Sequence, residues 1–181
     1  VGGDSHSPTG GAFGAYMFGI GATEMAGVLA TGTIWIKVPE TILIRWHNQL
    51  TSFVTAKDMM LATCRKIGMG GGRYQAIQFA GDAVRQLGMQ DRMTLSNMAA
   101  ELGAQAGLIA PDETTIDYIH KAGGIVPEDW RSYQIEAAET DDNLLSFDAA
   151  ALAPQIAAPH SPANADDAEA FKNTRFDLAY I

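Results

Sequence analysis

The spacing of hydrophobic positions changes repeatedly along this chain, and each change predicts a new element. Apolar and polar residues alternate over residues 33–38 and 41–47, which is typical of strands, and Pro39 and Glu40 predict a turn between them. Further strands are predicted at 74–79, 108–109 and 144–147. Helices are predicted over 12–18, 23–29, 55–67, 81–87, 93–106 and 113–121. Strands that alternate with helices indicate an α/β fold.

Two local signals bound the helix at 55–67. Thr55 supplies a hydroxyl cap with the acid Asp58 three residues later, which is a helix start. The glycine-rich run at 68–72 is a strong helix stop. Because the run lacks the Gly-Lys-Ser/Thr ending and the preceding strand of a phosphate loop, a helix stop is favoured over a phosphate cradle.

The last part of the chain has a composition typical of a linker. Residues 149–169 are rich in Ala, Pro and Asp, which indicates a crossing between domains. The chain opens directly on a polar cluster and closes on a strand-like apolar run at 176–181. We therefore interpret it as an internal piece of a longer protein.

The composition of the chain argues against several classes of function. The net charge of -9, with 12 scattered basic residues, argues against nucleic acid as a partner, because phosphate binding needs clustered Lys and Arg. No apolar run is long enough for a membrane span, and no signal peptide is visible. The single cysteine, Cys64, excludes an internal disulfide and a self-contained thiolate metal site. These features predict a cytoplasmic protein.

The opening cluster is the first candidate for chemistry. Asp4, Ser5 and His6 place a carboxylate, a hydroxyl and an imidazole at one bend ahead of a glycine-rich turn. They offer an acceptor, a donor and a group that titrates near neutral pH. Flanking glycines allow a ligand or other backbone to approach closely. Capping and turn formation are the alternative explanation for the same residues.

Elsewhere each candidate has a structural alternative. Asn97 and Glu101 lie four apart on one helix face, either at the edge of a pocket or on a solvated rim. Cys64 is expected to be a small core residue. His47 and His120 end elements as surface or capping groups, and His160, between two prolines, is expected to make a linker contact.

Several motifs together resemble the aconitase superfamily, and most closely its isopropylmalate dehydratase large-subunit branch. The resemblance covers the whole chain in order. The matching stretches are Gly3-Asp4-Ser5-His6-Ser7-Pro8-Thr9, Gly11-Ala12-Phe13-Gly14, Phe18-Gly19-Ile20-Gly21, Thr55-Ala56-Lys57-Asp58, Asn97-Met98-Ala99-Ala100-Glu101-Leu102-Gly103-Ala104, Leu108-Ile109-Ala110-Pro111-Asp112-Glu113 and Pro159-His160-Ser161-Pro162.

The resemblance implies a hydro-lyase that removes water from, or adds it to, a small hydroxy di- or tricarboxylic acid. It implies a [4Fe–4S] cluster whose open iron acts as a Lewis acid on the substrate hydroxyl. The three cluster cysteines are expected after Ile181, and Cys64 matches none of them. Substrate selection in the family depends largely on a swivelling domain, often a separate small subunit, which is the expected partner.

Residue roles follow from the same resemblance. Asp4, His6 and Glu101 are the expected catalytic residues, with the Glu101 carboxylate fixing the tautomer of the His6 imidazole and favouring its protonated form. Asp4 matches a carboxylate beside the metal-bound water or hydroxyl. Ser5 matches a residue that binds a substrate carboxylate. Asn97 matches an amide near the cluster.

The residues named so far do not identify a single substrate. Thr9, also expected near the cluster, stands where aconitases carry asparagine and agrees better with the isopropylmalate branch. Gly10 departs from the histidine common in that branch. Isopropylmalate, homoaconitate, aconitate, dimethylmalate, citramalate and maleate-type substrates therefore all remain candidates.

The implied architecture is a set of three-layer α/β domains with mixed sheets. Residues 1–39 would end a first domain, 40–156 would form a second, and 157–181 would cross into a third. Two other function classes compete with the hydro-lyase. The chain could be a scaffold or binding fragment without activity, since it lacks the cluster cysteines. Nucleotide binding by an α/β sheet has only the glycine runs in its favour.

Overall fold

Four apolar strands form one parallel sheet in the computed structural model, which describes residues 1–140 and 142–178. The strands are β1 (Thr41–His47), β2 (Ala76–Ala80), β3 (Ala106–Ile109) and β4 (Leu144–Asp148), in the order β3-β2-β1-β4. All three pairings are parallel, with Ile44 of β1 opposite Phe79 of β2 and Leu145 of β4. Every residue of β2 is buried, as expected for an inner parallel strand.

Helices and short turns connect these strands. The helices are α1 (Ala22–Thr31), α2 (Ala56–Ile67), α3 (Asp82–Gln86), α4 (Met89–Met98) and α5 (Glu113–Lys121). Turns of 3-10 helix span Ser7–Phe13, Trp130–Tyr133, Ala149–Ala151, Pro162–Asn164 and Ala168–Phe171. A separate antiparallel pair, β5 (Gln155–Ala157) with β6 (Ala165–Asp167), follows the sheet. The predicted α/β class is confirmed. The resemblance implied mixed sheets, whereas the described strands of this main sheet all pair in parallel. In the described helices, none combines the length and the apolar character needed to cross a bilayer.

The core lies between the sheet and the helices α2 and α4. Buried side chains from both layers meet there, and they include Ile44, Trp46, Met59, Met60, Cys64, Ile77, Phe79, Leu95 and Leu102. Burying a large aliphatic or aromatic side chain stabilises a fold by about 1.5–3 kcal/mol. This layer therefore fixes the position of α4, whose end carries two candidate site residues.

A buried arginine ties α4 to the start of α5. The Arg92 side chain is fully buried, and its guanidinium donates two hydrogen bonds of 2.7 Å to the Asp112 carboxylate. It also donates to the carbonyl oxygens of Leu87 and Arg85, at 3.0 and 2.9 Å. Asp112 caps α5 by accepting from the Thr115 amide. Burial raises the pKa of Asp112, but the hydrogen bonds and charge of Arg92 outweigh this and lower it.

Local signals predicted several elements correctly. Thr55 donates through its amide and hydroxyl to the Asp58 carboxylate, at 2.7 and 2.8 Å, so the predicted helix start is confirmed. The helix ends at Ile67, and Gly68 follows with φ of +76°. The strands at 41–47 and 144–147 and the helix at 113–121 are also confirmed, to within one residue.

Three predicted elements are wrong. Residues 12–18 do not form a helix, because the turn of 3-10 helix lies earlier, at Ser7–Phe13, and stops at Gly14, whose φ is +79°. Residues 33–38 belong to no strand. The helix predicted over 93–106 runs over Met89–Met98, because successive turns and Gly103, with φ of +69°, end it before β3.

Two further predictions concern strand edges. The strand predicted from 74 begins at Ala76, since Arg73 and Tyr74 adopt left-handed conformations with φ of 46° and 57°. In the strand-like run 176–181, residues 176–178 belong to no strand, and the remainder lies outside the described residues. The sheet occupies residues 41–148, and the division into domains at 39 and 156 stays a prediction.

One apolar stretch stays outside the core. Every residue of α1 is exposed or half-buried, and residues 33–38 are all exposed. Leu29, Trp35 and Val38 are 80%, 88% and 84% exposed. In the described residues, the backbone of 34–39 makes no hydrogen bond to a neighbouring strand. Residues 22–38 therefore form an outer segment of the structure.

Candidate functional site

The predicted polar cluster forms a tight turn. The His6 amide donates to Asp4 Oδ1 at 2.7 Å, and the Ser7 hydroxyl donates to the Asp4 carbonyl oxygen at 2.7 Å. Ser5 Oγ lies 3.0 Å from His6 Nδ1. The carboxylate of Asp4 therefore shapes the turn, while the hydroxyl of Ser5 contacts the imidazole ring. Capping and turn formation account for part of this cluster, as the alternative explanation expected.

Close backbone packing seats this turn on the sheet unit. Gly11, in the 3-10 helix, touches β3 so closely that a Cβ there would overlap the Gly107 carbonyl oxygen. A Cβ on Gly107 would in turn lie 2.6 Å from the Ala99 side chain. A Cβ on Gly19 would likewise lie too close to another part of the turn, at 2.4 Å from the Asp4 carbonyl oxygen. Glycine is needed at these close approaches, and they fix the turn against the end of α4.

The end of α4 brings the other candidates to this turn. The Asn97 amide donates from Nδ2 to Thr9 Oγ1 at 2.9 Å, and that hydroxyl donates to the His6 carbonyl oxygen at 2.6 Å. One turn later, Glu101 Oε1 lies 3.4 Å from His6 Nε2. Asp4, Ser5, His6, Thr9, Asn97 and Glu101 are therefore all brought together, although Asn97 and Glu101 straddle the end of the helix rather than sharing it.

The cluster faces solvent. The side chains of His6 and Glu101 are 40% and 34% exposed, and Asp4 and Ser5 are exposed. An imidazole with a carboxylate at one nitrogen and a hydroxyl at the other can hold and transfer a proton. Exposed hydroxyl and amide groups beside it can bind a carboxylate by hydrogen bonds.

Lys57 lies at the same place, although no role was predicted for it from the sequence. With Thr9, Asn97 and Glu101 it lines an open groove of about 470 Å³. Lys57 lies in the first turn of α2, directly before the capping residue Asp58. The only sequence signal was its position in the matching stretch at 55–58. A cation in the groove favours an anionic ligand.

Other sequence candidates lie apart from this cluster. His47 Nε2 lies 3.0 Å from Ser146 Oγ at the end of the sheet, and His120 is exposed near the end of α5. His160 has φ of +83° in an exposed turn. The amide of Gly72, in the glycine run, donates to the Leu102 carbonyl oxygen at 2.7 Å. Since that donor is already used, it is not part of a phosphate cradle.

Comparison with known proteins shows which family the chain belongs to. The family model described as the aconitase family (aconitate hydratase) matches residues 1–179. The chain belongs to the aconitase family. The geometry above is therefore that of an aconitase-family chain, and the predicted resemblance is confirmed.

Individual relatives agree over the full chain. It is 40% identical over 181 residues to the 3-isopropylmalate dehydratase large subunit of Moorella thermoacetica. It is 38% identical over 181 residues to the probable 3-isopropylmalate dehydratase large subunit of Methanothermobacter thermautotrophicus, and 40% identical over 184 residues to the probable methanogen homoaconitase large subunit of Methanosarcina mazei. All of this chain is covered, but it spans only 42%, 42% and 46% of these relatives.

Cys64 does not fit a role as a ligand of the iron–sulfur cluster implied for this aconitase-family chain. Its side chain is fully buried in the core face of α2, and burial, with the nearby charge of Glu101, raises the pKa of its thiol to about 11. Metal binding requires the thiolate, which this environment disfavours. In the part of the chain that the structure describes, no group of three His, Cys, Asp or Glu side chains could hold a metal ion. The described residues therefore provide no ligand set for a cluster.

Proposed function

We propose that this chain supplies the proton-handling and carboxylate-binding side of a hydro-lyase that dehydrates and rehydrates a small hydroxy di- or tricarboxylic acid. One observation carries the proposal, namely the contact of 3.4 Å between His6 Nε2 and Glu101 Oε1 beside the Asp4–Ser5 turn. Membership of the aconitase family supports it. The names of the relatives, which are dehydratase and homoaconitase large subunits, point to the same reaction class.

In this proposal His6 and Glu101 handle the proton. The Glu101 carboxylate accepts a hydrogen bond from Nε2, which orients the ring and holds a proton on that nitrogen. Nδ1 then faces the Ser5 hydroxyl. The exposed carboxylate of Asp4, which already accepts from the His6 amide, acts beside the departing or entering hydroxyl.

Binding and positioning fall to the neighbouring polar groups. The exposed hydroxyl of Ser5 binds a substrate carboxylate by donating a hydrogen bond. Asn97 and Thr9 hold the His6 backbone in place through their chain of two hydrogen bonds, at 2.9 and 2.6 Å. A positioned acid–base group contributes about 10²–10⁴-fold to a rate, so loss of this positioning also lowers turnover.

The names of the relatives support a choice of substrate and partner. We propose 3-isopropylmalate or a close analogue as substrate, with homoaconitate, aconitate, dimethylmalate, citramalate and maleate-type acids as the alternatives. The dianionic substrate agrees with the cationic Lys57 in the groove beside Glu101. Since the relatives are named large subunits, we propose a small-subunit partner that carries the swivelling domain. A cytoplasmic location stays a prediction.

The [4Fe–4S] cluster belongs to the proposal only as a group held elsewhere. When bound, such a cluster supplies a Lewis acid for the substrate hydroxyl. We propose that its ligands come from outside the described residues, because Cys64 is buried with a raised thiol pKa. The roles of His6, Glu101, Asp4 and Ser5 do not depend on which segment holds it.

The decisive test is His6→Ala in the complete protein with its small subunit. Turnover should fall by about 10²-fold or more, because the proton-handling group is lost. His120→Ala is the matched control, since His120 is an exposed histidine on α5, away from the turn. Steady-state kinetics on 3-isopropylmalate and its alternatives measure both variants. Near-normal turnover by His6→Ala would overturn the proposal.

The second candidate is a scaffold or binding fragment without activity. It is favoured by the lack of a metal-binding group in the described residues. Reconstitution of the 181-residue chain with iron and sulfide distinguishes its own cluster from a cluster held elsewhere. No visible absorbance of a four-iron cluster is expected. A stable cluster on this chain alone would show that its ligands have been assigned wrongly.

A further inference from the structure

The glycine run after α2 contacts the turn that carries Glu101. Glu101 sits in successive turns after α4, in which its amide donates to the Met98 carbonyl oxygen at 3.0 Å. The loop at 70–75 meets these turns through three backbone hydrogen bonds. They run from Gly72 N to Leu102 O at 2.7 Å, from Tyr74 N to Gly103 O at 2.8 Å and from Gln105 N to Gln75 O at 2.9 Å.

Gly72 is the point of closest approach. A Cβ at this position would lie 2.8 Å from both Ala104 N and Leu102 O, and 2.9 Å from the Ala104 side chain. Two of these atoms are backbone, so they move only if the turn itself moves. From the other side, Gly103 has φ of +69°, and a Cβ there would lie 3.1 Å from the Met69 carbonyl oxygen.

The loop is itself held firmly. Gly71 packs on the end of α2, where a Cβ would lie 2.6 Å from the Ile67 carbonyl oxygen. Arg73 and Tyr74 follow in left-handed conformations, which residues with a side chain rarely adopt. Such conformations persist only where the surroundings determine them. The loop therefore transmits the position of α2 to the turn that carries Glu101.

We propose that Gly72 is a positioning residue that sets the distance between the Glu101 carboxylate and the His6 imidazole. This inference rests on the proposed function for its effect on turnover, but its geometric content is independent of it. The His6–Glu101 contact is 3.4 Å, at the long end of a hydrogen bond, so a shift of a few tenths of an ångström in the turn decides whether it forms.

Gly72→Ala tests this inference, with Gly70→Ala as the matched control. Both substitutions add one methyl group to the same loop, but a Cβ at Gly70 meets nothing within 4 Å. In the complete protein with its small subunit, Gly72→Ala should lower kcat at least tenfold and change KM less than twofold. Gly70→Ala should change neither by more than twofold.

A double-mutant cycle shows whether the effect passes through Glu101. If Gly72 acts by positioning that carboxylate, Gly72→Ala combined with Glu101→Gln should be no slower than Glu101→Gln alone. A merely structural effect would instead multiply with the Glu101→Gln defect. Multiplicative loss in the double variant would overturn the inference.

A second readout does not require activity. In protein labelled with ¹⁵N-histidine, the His6 ring-nitrogen signals report the hydrogen bond to Glu101, and His6→Gln assigns them. Gly72→Ala should move these signals in the direction that Glu101→Gln moves them, whereas Gly70→Ala should leave them unchanged. Unchanged His6 signals in Gly72→Ala would overturn the inference. If they move while Glu101→Gln retains full turnover, the proposed function fails and the positioning role stands.

Gly103→Asn is a second variant that tests the inference if Gly72→Ala does not fold. Asparagine tolerates a positive φ better than other residues with a side chain. Its Cβ would press on the Met69 carbonyl oxygen by only a few tenths of an ångström. The same displacement of the His6 signals, smaller in size, is expected. Unchanged signals in folded Gly103→Asn would count against the inference in the same way, and circular dichroism checks folding.

Discussion

Two regions of this chain both carry large apolar side chains, but only one of them buries such side chains in a core. The sheet unit, residues 41–148, buries Leu95 and Trp46 to within 1% of full burial. The outer segment leaves Leu29 and Trp35 80% and 88% exposed. A helix of ten residues without a buried side chain, such as α1, is marginal in water, since most helix stability comes from tertiary packing. Hydrophobic spacing therefore identifies a face that needs covering, but not what covers it.

The largest expected effect lies inside the sheet unit, at Arg92. Arg92→Met should lower the free energy of unfolding by about 3–5 kcal/mol, because it leaves the Asp112 carboxylate and two carbonyl oxygens without their buried partner. Urea denaturation measures the change. Arg85→Met is the control, since the Arg85 side chain is 61% exposed and its pair with Asp82 is worth little. Equal effects of the two substitutions would contradict the assigned role of the buried pair.

The same substitution at two leucines, one in the sheet unit and one in the outer segment, tests the difference in burial between these regions. Leu95→Ala removes a fully buried side chain from α4, and it should lower the free energy of unfolding by about 2–5 kcal/mol. Leu29→Ala makes the same change on exposed α1, and it should stay within about 0.5 kcal/mol. Both are measured by urea denaturation of the 181-residue chain. A large loss from Leu29→Ala would mean that the outer segment is packed in solution.

A smaller effect depends on pH. Arg92 lowers the pKa of Asp112 below its unfolded value despite the opposing effect of burial. The carboxylate therefore stabilises the fold fully above the unfolded pKa, of about 3.9, and this contribution is lost as the pH falls through the folded value. The stability difference between wild type and Asp112→Asn should shrink on acidification in that window. Urea denaturation across pH 2–7 measures it, and parallel stability curves would contradict the assignment.

Much of the sheet unit could be predicted because its signals are local. The cap formed by Thr55 and Asp58 lies within one turn, and the alternation in β1 lies within a single strand. In the outer segment, the helix predicted at 23–29 is present as α1, but the strand predicted at 33–38 is not, because alternation gives a strand only where a partner strand is present. The sequence around Arg92 did not indicate its burial, which depends on the distant Asp112.

In the candidate site, too, contacts between neighbours in the sequence could be predicted from local signals and contacts between distant residues could not. The turn formed by Asp4, Ser5 and His6 is a run of neighbours, so the sequence suggested it directly. The partnership of His6 with Glu101 joins residues far apart in the chain, and it was expected from a family resemblance rather than from spacing. Nothing in the glycine run itself indicated the contact between Gly72 and Leu102, because it depends on how α2 and α4 pack.

The order of strands in the sheet also has a consequence for synthesis on the ribosome. β1 pairs on one edge with β2, which follows it closely, but on the other edge with β4, where Leu43 lies opposite Leu144. That second edge stays open until nearly all of the sheet unit has been translated. Such non-local pairing slows folding, and an open strand edge invites pairing with other chains. The nascent chain is therefore most vulnerable to aggregation before β4 emerges.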